Sequence, residues 1–400
     1  YFYKMENFGE KGSLSEKENS KEKEDLKEKE NSKEKENLRV NLKRILEEAL
    51  KSAENSEWIF LIQDKVAEKE LQKLNENLKK IKGEIFWIGI GGSSSGPRAI
   101  FKLSEIDVKF FESPEDKYEL QEKIKKSKNY TLYIVSKSGE TFETISLMKT
   151  AEKLIKTQNQ KKKRNFDILV ITTHNENTPL YKFAQKNQAK IIHFPEKLSG
   201  RFSTFFISYP LLKLTKEDIL KKVKRGIEKV RKNIFDENSL HFKLTEFLLE
   251  NIEKRKNQDL FLCFYSRKLF ELGEITSQLI GESLGKDGKG ITPIPILGPH
   301  FQHSIAQLIL ANPNQKCAIF ILPKNKAKYK ENLKEAEATF KVFSSKIPVM
   351  KIEIEETPED ISYFLFSFKI SIALSGKIMG INPFDQPEVK KIRDILLGKN

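Results

Sequence analysis

The residues best suited to chemistry stand in short polar stretches, and the densest of them is Ser136-Lys137-Ser138-Gly139-Glu140-Thr141. Hydroxyls and an ammonium grouped around one glycine are what a phosphomonoester needs: neutral donors, a cation and, where a helix begins, free backbone N–H groups. The stretch follows the apolar run Tyr130 to Val135 and opens a helix-like segment, so it is predicted at a strand-to-helix turn. A second loop of the same kind, Gly89-Ile90-Gly91-Gly92-Ser93-Ser94-Ser95-Gly96-Pro97, also follows an apolar run and ends in a proline suited to a first helical turn. Two such turns at one end of a parallel sheet lie where open α/β folds bind ligands.

Four more stretches are polar where a purely structural role would not ask for it. In Leu198-Ser199-Gly200-Arg201-Phe202-Ser203, an arginine on a glycine turn offers a planar, permanently charged fork to a developing oxyanion. In Gly281-Glu282-Ser283-Leu284-Gly285-Lys286, a carboxylate at a helix end, beside Leu279 and Ile280 and one turn after Gln278, has the setting of a general base. Gly298-Pro299-His300-Phe301-Gln302-His303-Ser304 holds two of the five histidines without a Cys or carboxylate at zinc-site spacing. His303 is therefore read as an acid–base group and no metal site is expected; His174, His193 and His241 are read as structural. Finally, Asn382-Pro383-Phe384-Asp385-Gln386-Pro387 is a proline-flanked turn before the cations Lys390, Lys391 and Arg393.

Among the elements that must carry these residues, strand-like runs at Ile85–Ile90, Val108–Phe111, Tyr130–Val135, Ile168–Thr172 and Ile191–Phe194 alternate with helical stretches. After helices across 210–256, a second alternating set follows, with strands at Leu260–Tyr265, Ile291–Leu297, Cys317–Leu322 and Val349–Ile354. Helices are expected at Lys268–Leu284, Phe301–Leu310, Glu331–Phe343 and Glu359–Met379. This is an α/β fold of two doubly wound parallel-sheet domains with flanking helices. The expected division is 1–38, a charged low-complexity extension; 39–209, a first domain with N-terminal helices; 210–380, a second with linking helices; and 381–400, a turn and helix closing the site.

The extension carries a tandem six-residue repeat of Lys-Glu-Lys-Glu type from Lys21 to Leu38. Its period keeps no apolar face, so a solvated segment without catalytic duty is expected, with folded sequence starting near Leu38. Leu42, Ile45, Leu46 and Leu50, then Leu71, Leu74 and Leu78, imply two amphipathic helices. The formal charge of +15 is spread through helices and mixed with 57 acidic residues, which argues against a nucleic-acid stripe and leaves a field that draws in an anion. Cys263 and Cys317 lie in apolar runs and read as buried thiols. With neither a signal peptide nor a spanning run expected, the chain reads as cytoplasmic, without membrane or nucleic-acid partners.

Taken in order, IGIGGSSSGP, SKSGETFET, SGRFS, GESLGK, GPHFQHS and NPFDQP resemble the glucose-6-phosphate isomerase (phosphoglucose isomerase) family, built from two sugar-isomerase (SIS-type) domains; the likeness spans about residues 40–400. The resemblance implies reversible exchange of glucose 6-phosphate and fructose 6-phosphate through a cis-enediolate, without cofactor. It implies that Ser136, Lys137, Ser138 and Thr141 hold the phosphate, with Gly92 and Ser93 on the neighbouring wall. Glu282 takes the place of the base between C2 and C1, Arg201 that of the cation on the enediolate, and Gln278 and Gln386 those of substrate contacts. His303 takes the place of the ring-opening residue, which in this family reaches the site from the partner subunit of a homodimer. Two positions depart from the pattern: Arg393 stands where a lysine is usual, with Lys390 one turn earlier, and Ser199 stands where glycine is common. An arginine there acts through its charge, since it does not readily yield a proton. Two alternatives share much of this machinery: an isomerase that also takes mannose 6-phosphate, and a non-catalytic sugar-phosphate sensor, which would need neither Glu282 nor His303.

Overall fold

The computed structural model describes residues 14–74, 81, 83–160, 165–396 and 398. In chain order its elements are α1 (Leu14–Ser52), α2 (Gln63–Gln72), β1 (Glu84–Ile88), α3 (Ser95–Leu103), β2 (Val108–Phe111), α4 (Lys117–Lys126), β3 (Asn129–Val135), α5 (Phe142–Gln160), β4 (Asn165–Thr172), α6 (Pro179–Lys186) and β5 (Lys190–His193). Then come α7 (Thr204–Thr215), α8 (Glu217–Lys232), α9 (Leu240–Leu249), β6 (Asp259–Phe264), α10 (Gly273–Leu284), β7 (Thr292–Leu297), α11 (Ala306–Ala311), β8 (Lys316–Pro323), α12 (Lys330–Ser344), β9 (Val349–Ile354), α13 (Pro358–Ile378) and α14 (Pro387–Leu396).

Both sheets are parallel throughout, in the orders β2-β1-β3-β4-β5 and β7-β6-β8-β9. Each order reverses once, between β1 and β3 and between β6 and β8, so each sheet has one switch point at its carboxyl edge. The strands are apolar on both faces because both faces are covered. Trp87, Tyr133, Val135 and Ile171 of the first sheet and Leu262, Phe264 and Ile319 of the second enter one shared core with α7, α8, α9 and α13. The alternate residues point outward: Phe86, Leu132 and Ile134 meet α4, α5 and α6, while Phe261, Cys263 and Phe320 meet α11 and α12. Among the described residues α13 alone is long and apolar enough to cross a membrane, and it is mostly buried as the central helix between the sheets.

At the N-terminus the helix reaches further back than the packing, which begins at Leu38. The chain is helical from Leu14, so α1 runs through the repeat rather than beginning near Leu38. Lys, Glu and Leu are strong helix formers, and their charges pair at i,i+3 and i,i+4 even where no face is buried. Ser32 to Asn37 stay exposed and Lys254 reaches Glu34 at 2.7 Å, whereas Leu42, Leu46 and Ala49 are docked in the core. The expected helical position Leu78 and the first thirteen residues of the extension lie outside the described residues.

Between α1 and α2 the periodicity shows nothing, yet Glu57–Ile62 forms a 3-10 segment burying Trp58, Ile59, Phe60 and Leu61. Its aromatic rings meet Phe202 at 4.9 Å and Phe384 at 5.6 Å, so this segment props two of the polar turns from behind. The expected helices 268–284 and 301–310 are each broken: 3-10 turns at Leu269–Leu272 and His300–His303 precede α10 and α11. Helix α7 runs continuously across residues 209 and 210, where the sequence pattern changes from one alternating set to the linking helices.

Candidate active site

At the switch point of the first sheet, β3 ends in the Ser136–Thr141 turn and α5 begins at Phe142. Gly139 makes the reversal at φ +68°, and a Cβ there would also strike the Thr178 hydroxyl, 2.6 Å away. Ser136 and Thr141 hydroxyls lie 2.8 Å apart, Gly139 N–H donates to Ser136 Oγ at 3.1 Å, and Glu140 N–H donates to Ser138 Oγ at 3.2 Å. Ser136 is buried beneath the turn and shapes it, while Ser138 and Thr141 face the open cleft. Lys137 also borders the cleft, but its Nζ donates to the carbonyls of Glu196 at 2.7 Å and Leu198 at 2.8 Å. Burial lowers the Lys137 pKa, against the pull of Glu196.

The glycine-rich loop after β1 stands opposite. Gly91 adopts φ +57°, and a Cβ on Gly92 would lie 2.6 Å from both the Arg201 nitrogen and the Gly200 carbonyl carbon. Only a glycine lets this loop touch the Gly200–Phe202 turn backbone to backbone. That turn presents Arg201, whose side chain is 1% exposed. Its Nε donates to Ser283 Oγ at 2.7 Å, Nη1 to Glu282 Oε2 at 3.1 Å and Gln386 Oε1 at 2.8 Å, and Nη2 to the carbonyls of Pro383 at 2.6 Å and Asp385 at 2.8 Å. Burial pushes the guanidinium down to about 10, with Glu282 and Asp385 acting the other way, so it remains a cation at neutral pH. Ser199 sits at φ −70°, ψ 142°, ordinary extended backbone, which is why a serine fits there without strain.

Glu282 projects from the last turn of α10. Leu279 and Ile280 on the same helix are buried in the core, but the Glu282 side chain is 27% exposed and faces the cleft; the apolar surroundings expected from its neighbours are thus on the other side of the helix. One carboxylate oxygen accepts from Arg201, and Oε1 accepts from Gln278 Nε2 at 3.0 Å. The C-terminal turn is held from below by two cations. Lys286 donates to the Asn382 carbonyl and pairs with Asp385 at 2.9 Å, while Arg201 takes the next carbonyls.

These parts enclose one cavity of about 620 Å³. Gly92, Ser93, Lys137, Ser138, Thr141, Arg201, Gln278, Glu282, Gln386 and Arg393 all border it, so most of the residues singled out in the sequence converge. Lys390 is exposed and does not border it. Nor does His303, which is exposed on the turn after β7, where His300 meets Arg267 at 3.3 Å. Ile90, Phe142 and Glu143 of the same motifs also border the cavity, as does Val389 just after the last turn, and it adds Thr173, Ile392 and Leu396, which no motif had marked. Chemically, one wall offers hydroxyls and a helix start, and the other offers a carboxylate fixed by a buried guanidinium.

Two parallel α/β sheets around a cleft with these features define the SIS-type class of phosphosugar isomerases. The phosphoglucose isomerase family model matches residues 68–286. The chain is 30% identical, over 346 aligned positions covering 76% of each protein, to a probable glucose-6-phosphate isomerase of Methanococcus maripaludis. It is 26% identical over 337 positions, 77% of this chain and 82% of the relative, to the glucose-6-phosphate isomerase of Methanocaldococcus jannaschii. Among solved structures it is similar to a hypothetical protein from Thermus thermophilus, with TM-score 0.71, 22% identity and coverage of 90% and 95% of the two chains. It is also similar to a glucose-6-phosphate isomerase from Chlamydia trachomatis, with TM-score 0.68, 17% identity and coverage of 83% and 72%. The chain belongs to the phosphoglucose isomerase family.

Proposed function

We propose that this cleft interconverts glucose 6-phosphate and fructose 6-phosphate by proton transfer, with Glu282 as the base. In the open-chain aldose, the Glu282 carboxylate removes the C2 proton; the electron pair forms the C1=C2 bond and charge moves onto O1. Return of the proton to C1, with transfer of the O2 proton to O1, leaves a carbonyl at C2 and a hydroxyl at C1, which is the ketose. Hydrogen moves only within the substrate and its neighbours, so the chemistry calls for no redox carrier. Arg201, fixed beside Glu282 at the cavity wall, lends positive charge to the developing enediolate, and its fixed bonds mean little reorganisation is needed when charge develops. Ser138, Thr141 and the start of α5 receive the phosphate, away from the reacting carbons, and supply positioning. Ser136 orders that turn from below, Gly92 and Ser93 form the adjoining wall, and Gln278 and Gln386 orient Glu282 and Arg201. Arg393, the cation of α14 at the cavity, acts there as fixed charge.

The observation that carries this reading is that Glu282, Arg201 and the hydroxyl turn border one cavity although 146 residues separate Ser136 from Glu282 in sequence. We further propose a cytoplasmic homodimer in which the partner's loop delivers the ring-opening imidazole of His303. The test of the base is Glu282→Gln in a coupled assay from fructose 6-phosphate. Turnover is expected to vanish while substrate still raises the melting temperature; full activity in the variant would exclude Glu282 as the base.

A further inference from the structure

Helices α3 and α10 come from different sheets, and each carries part of the cleft: the glycine-rich loop leads into α3, and Gln278 and Glu282 project from α10. Glu274, Gln278 and Glu282 are spaced four residues apart, so they form a single stripe on α10. Facing it is a stripe on the α3 side. Gly91 lies against Gln278, with Nε2 3.2 Å from where a Cβ would stand, and Ser95 Oγ is 3.5 Å from Gln278 Oε1. Arg98 donates to Glu274, and Lys102 meets Glu271 at 3.0 Å. The two helices are thus joined by a seam of polar pairs whose last member on α10, Gln278, donates to the proposed base.

Arg98 is the node of that seam. One arm of its guanidinium donates to Glu112, just after β2, and Ser94 at the start of α3 donates to the same carboxylate. The other arm donates to Glu274, and Nε lies 4.0 Å from Glu271. The Arg98 side chain is 18% exposed and its pairing with Glu112 is partly desolvated, while Glu274 holds the other arm from a half-exposed position. Glu274 lies two helical turns from Glu282, about 12 Å along a rigid rod. A shift or rotation of α10 at Glu274 is therefore carried to the carboxylate. The phosphate turn stands on other elements, β3 and α5.

We infer that Arg98 is a positioning residue for the reaction: by clamping Glu112 of the first sheet unit to Glu274 of α10, it sets the distance from Glu282 to substrate held on the first unit. The inference rests on the reading of Glu282 as the base. A 1 Å misplacement at a reacting centre costs about a hundredfold in rate, so Arg98→Met is expected to lower kcat by about tenfold to a hundredfold while KM changes less than about threefold. Arg98→Lys, which reaches one carboxylate at a time, restores part of kcat. Glu274→Gln, on a half-exposed side chain, should show the same split, and the Arg98→Met/Glu274→Gln double variant should be no slower than the worse single. Should Arg98→Met fail to fold, Glu274→Gln carries the test. Unchanged kcat in a folded variant, a loss confined to KM, or losses that add in the double variant would overturn the inference. Glu282→Gln run in parallel separates the two failures: activity in that variant sinks the base itself, whereas an inactive Glu282→Gln beside fully active Arg98→Met and Glu274→Gln sinks only the clamp.

Discussion

At the scale of single residues, Arg201 bears the most. Its guanidinium is spent on a serine, a carboxylate, a glutamine and carbonyls of the C-terminal turn. A lysine keeps the charge but loses the fork, leaving buried acceptors unpaired. Arg201→Lys is expected to lower kcat about a hundredfold or more and to lower the unfolding free energy by about 1–3 kcal/mol in urea titrations. Gly92→Ala should also slow the enzyme, by about tenfold or more, because the added methyl would push the Arg201 backbone away; a normal rate would show that the two loops have room to part. The sequence marked these positions because their residue types are costly or unusual where they stand. It could not reveal that Lys137 is engaged by the Glu196 and Leu198 carbonyls, or that Ser136 lies under its turn, because the partners come from distant segments. Thr173 and Ile392 border the cleft without any motif, since ordinary residues become site residues only through the fold.

Among the elements, the strands were the most legible, with Val108–Phe111 and Val349–Ile354 matching residue for residue, because a parallel strand covered on both faces is an unbroken apolar run. The 3-10 segment Glu57–Ile62 escaped for the opposite reason: its buried residues have no period, and what they pack on, Phe202 and Phe384, is remote. Helix α9 allows a pH test. His241 sits in its first turn, buried, with Nε2 bonded to the Ile234 carbonyl at 2.9 Å. Burial pushes its imidazole down to about 4, and the nearby helix N-terminus is no home for a cation. An unfolded chain takes up that proton near pH 6.5. Between about pH 6.5 and 4 the unfolded state therefore holds more protons, and stability falls as pH falls, by on the order of 3 kcal/mol from this group. His241→Gln should flatten that part of the stability curve; an unchanged slope would mean that another group governs it.

For the whole molecule, the proposed cross-subunit imidazole makes a quantitative prediction. Glu282→Gln and His303→Ala proteins, each inactive alone, should recover about a quarter of wild-type activity when subunits are allowed to exchange in equal amounts, since half the dimers are mixed and each has one complete site. No recovery despite demonstrated exchange would place the histidine's role within its own subunit or remove it. The two-sheet architecture was readable from alternation alone, but not how the halves face each other, because the α3–α10 seam pairs residues more than 150 positions apart. The bonds of Lys137 carry one last consequence. A dianion that draws this ammonium toward itself must take it from Glu196 and Leu198, the residues leading directly into the Gly200–Phe202 turn. Backbone amides at 199–201 are therefore expected to exchange hydrogen faster with inorganic phosphate bound than without it; unchanged exchange would show that Lys137 keeps both carbonyls when the anion binds.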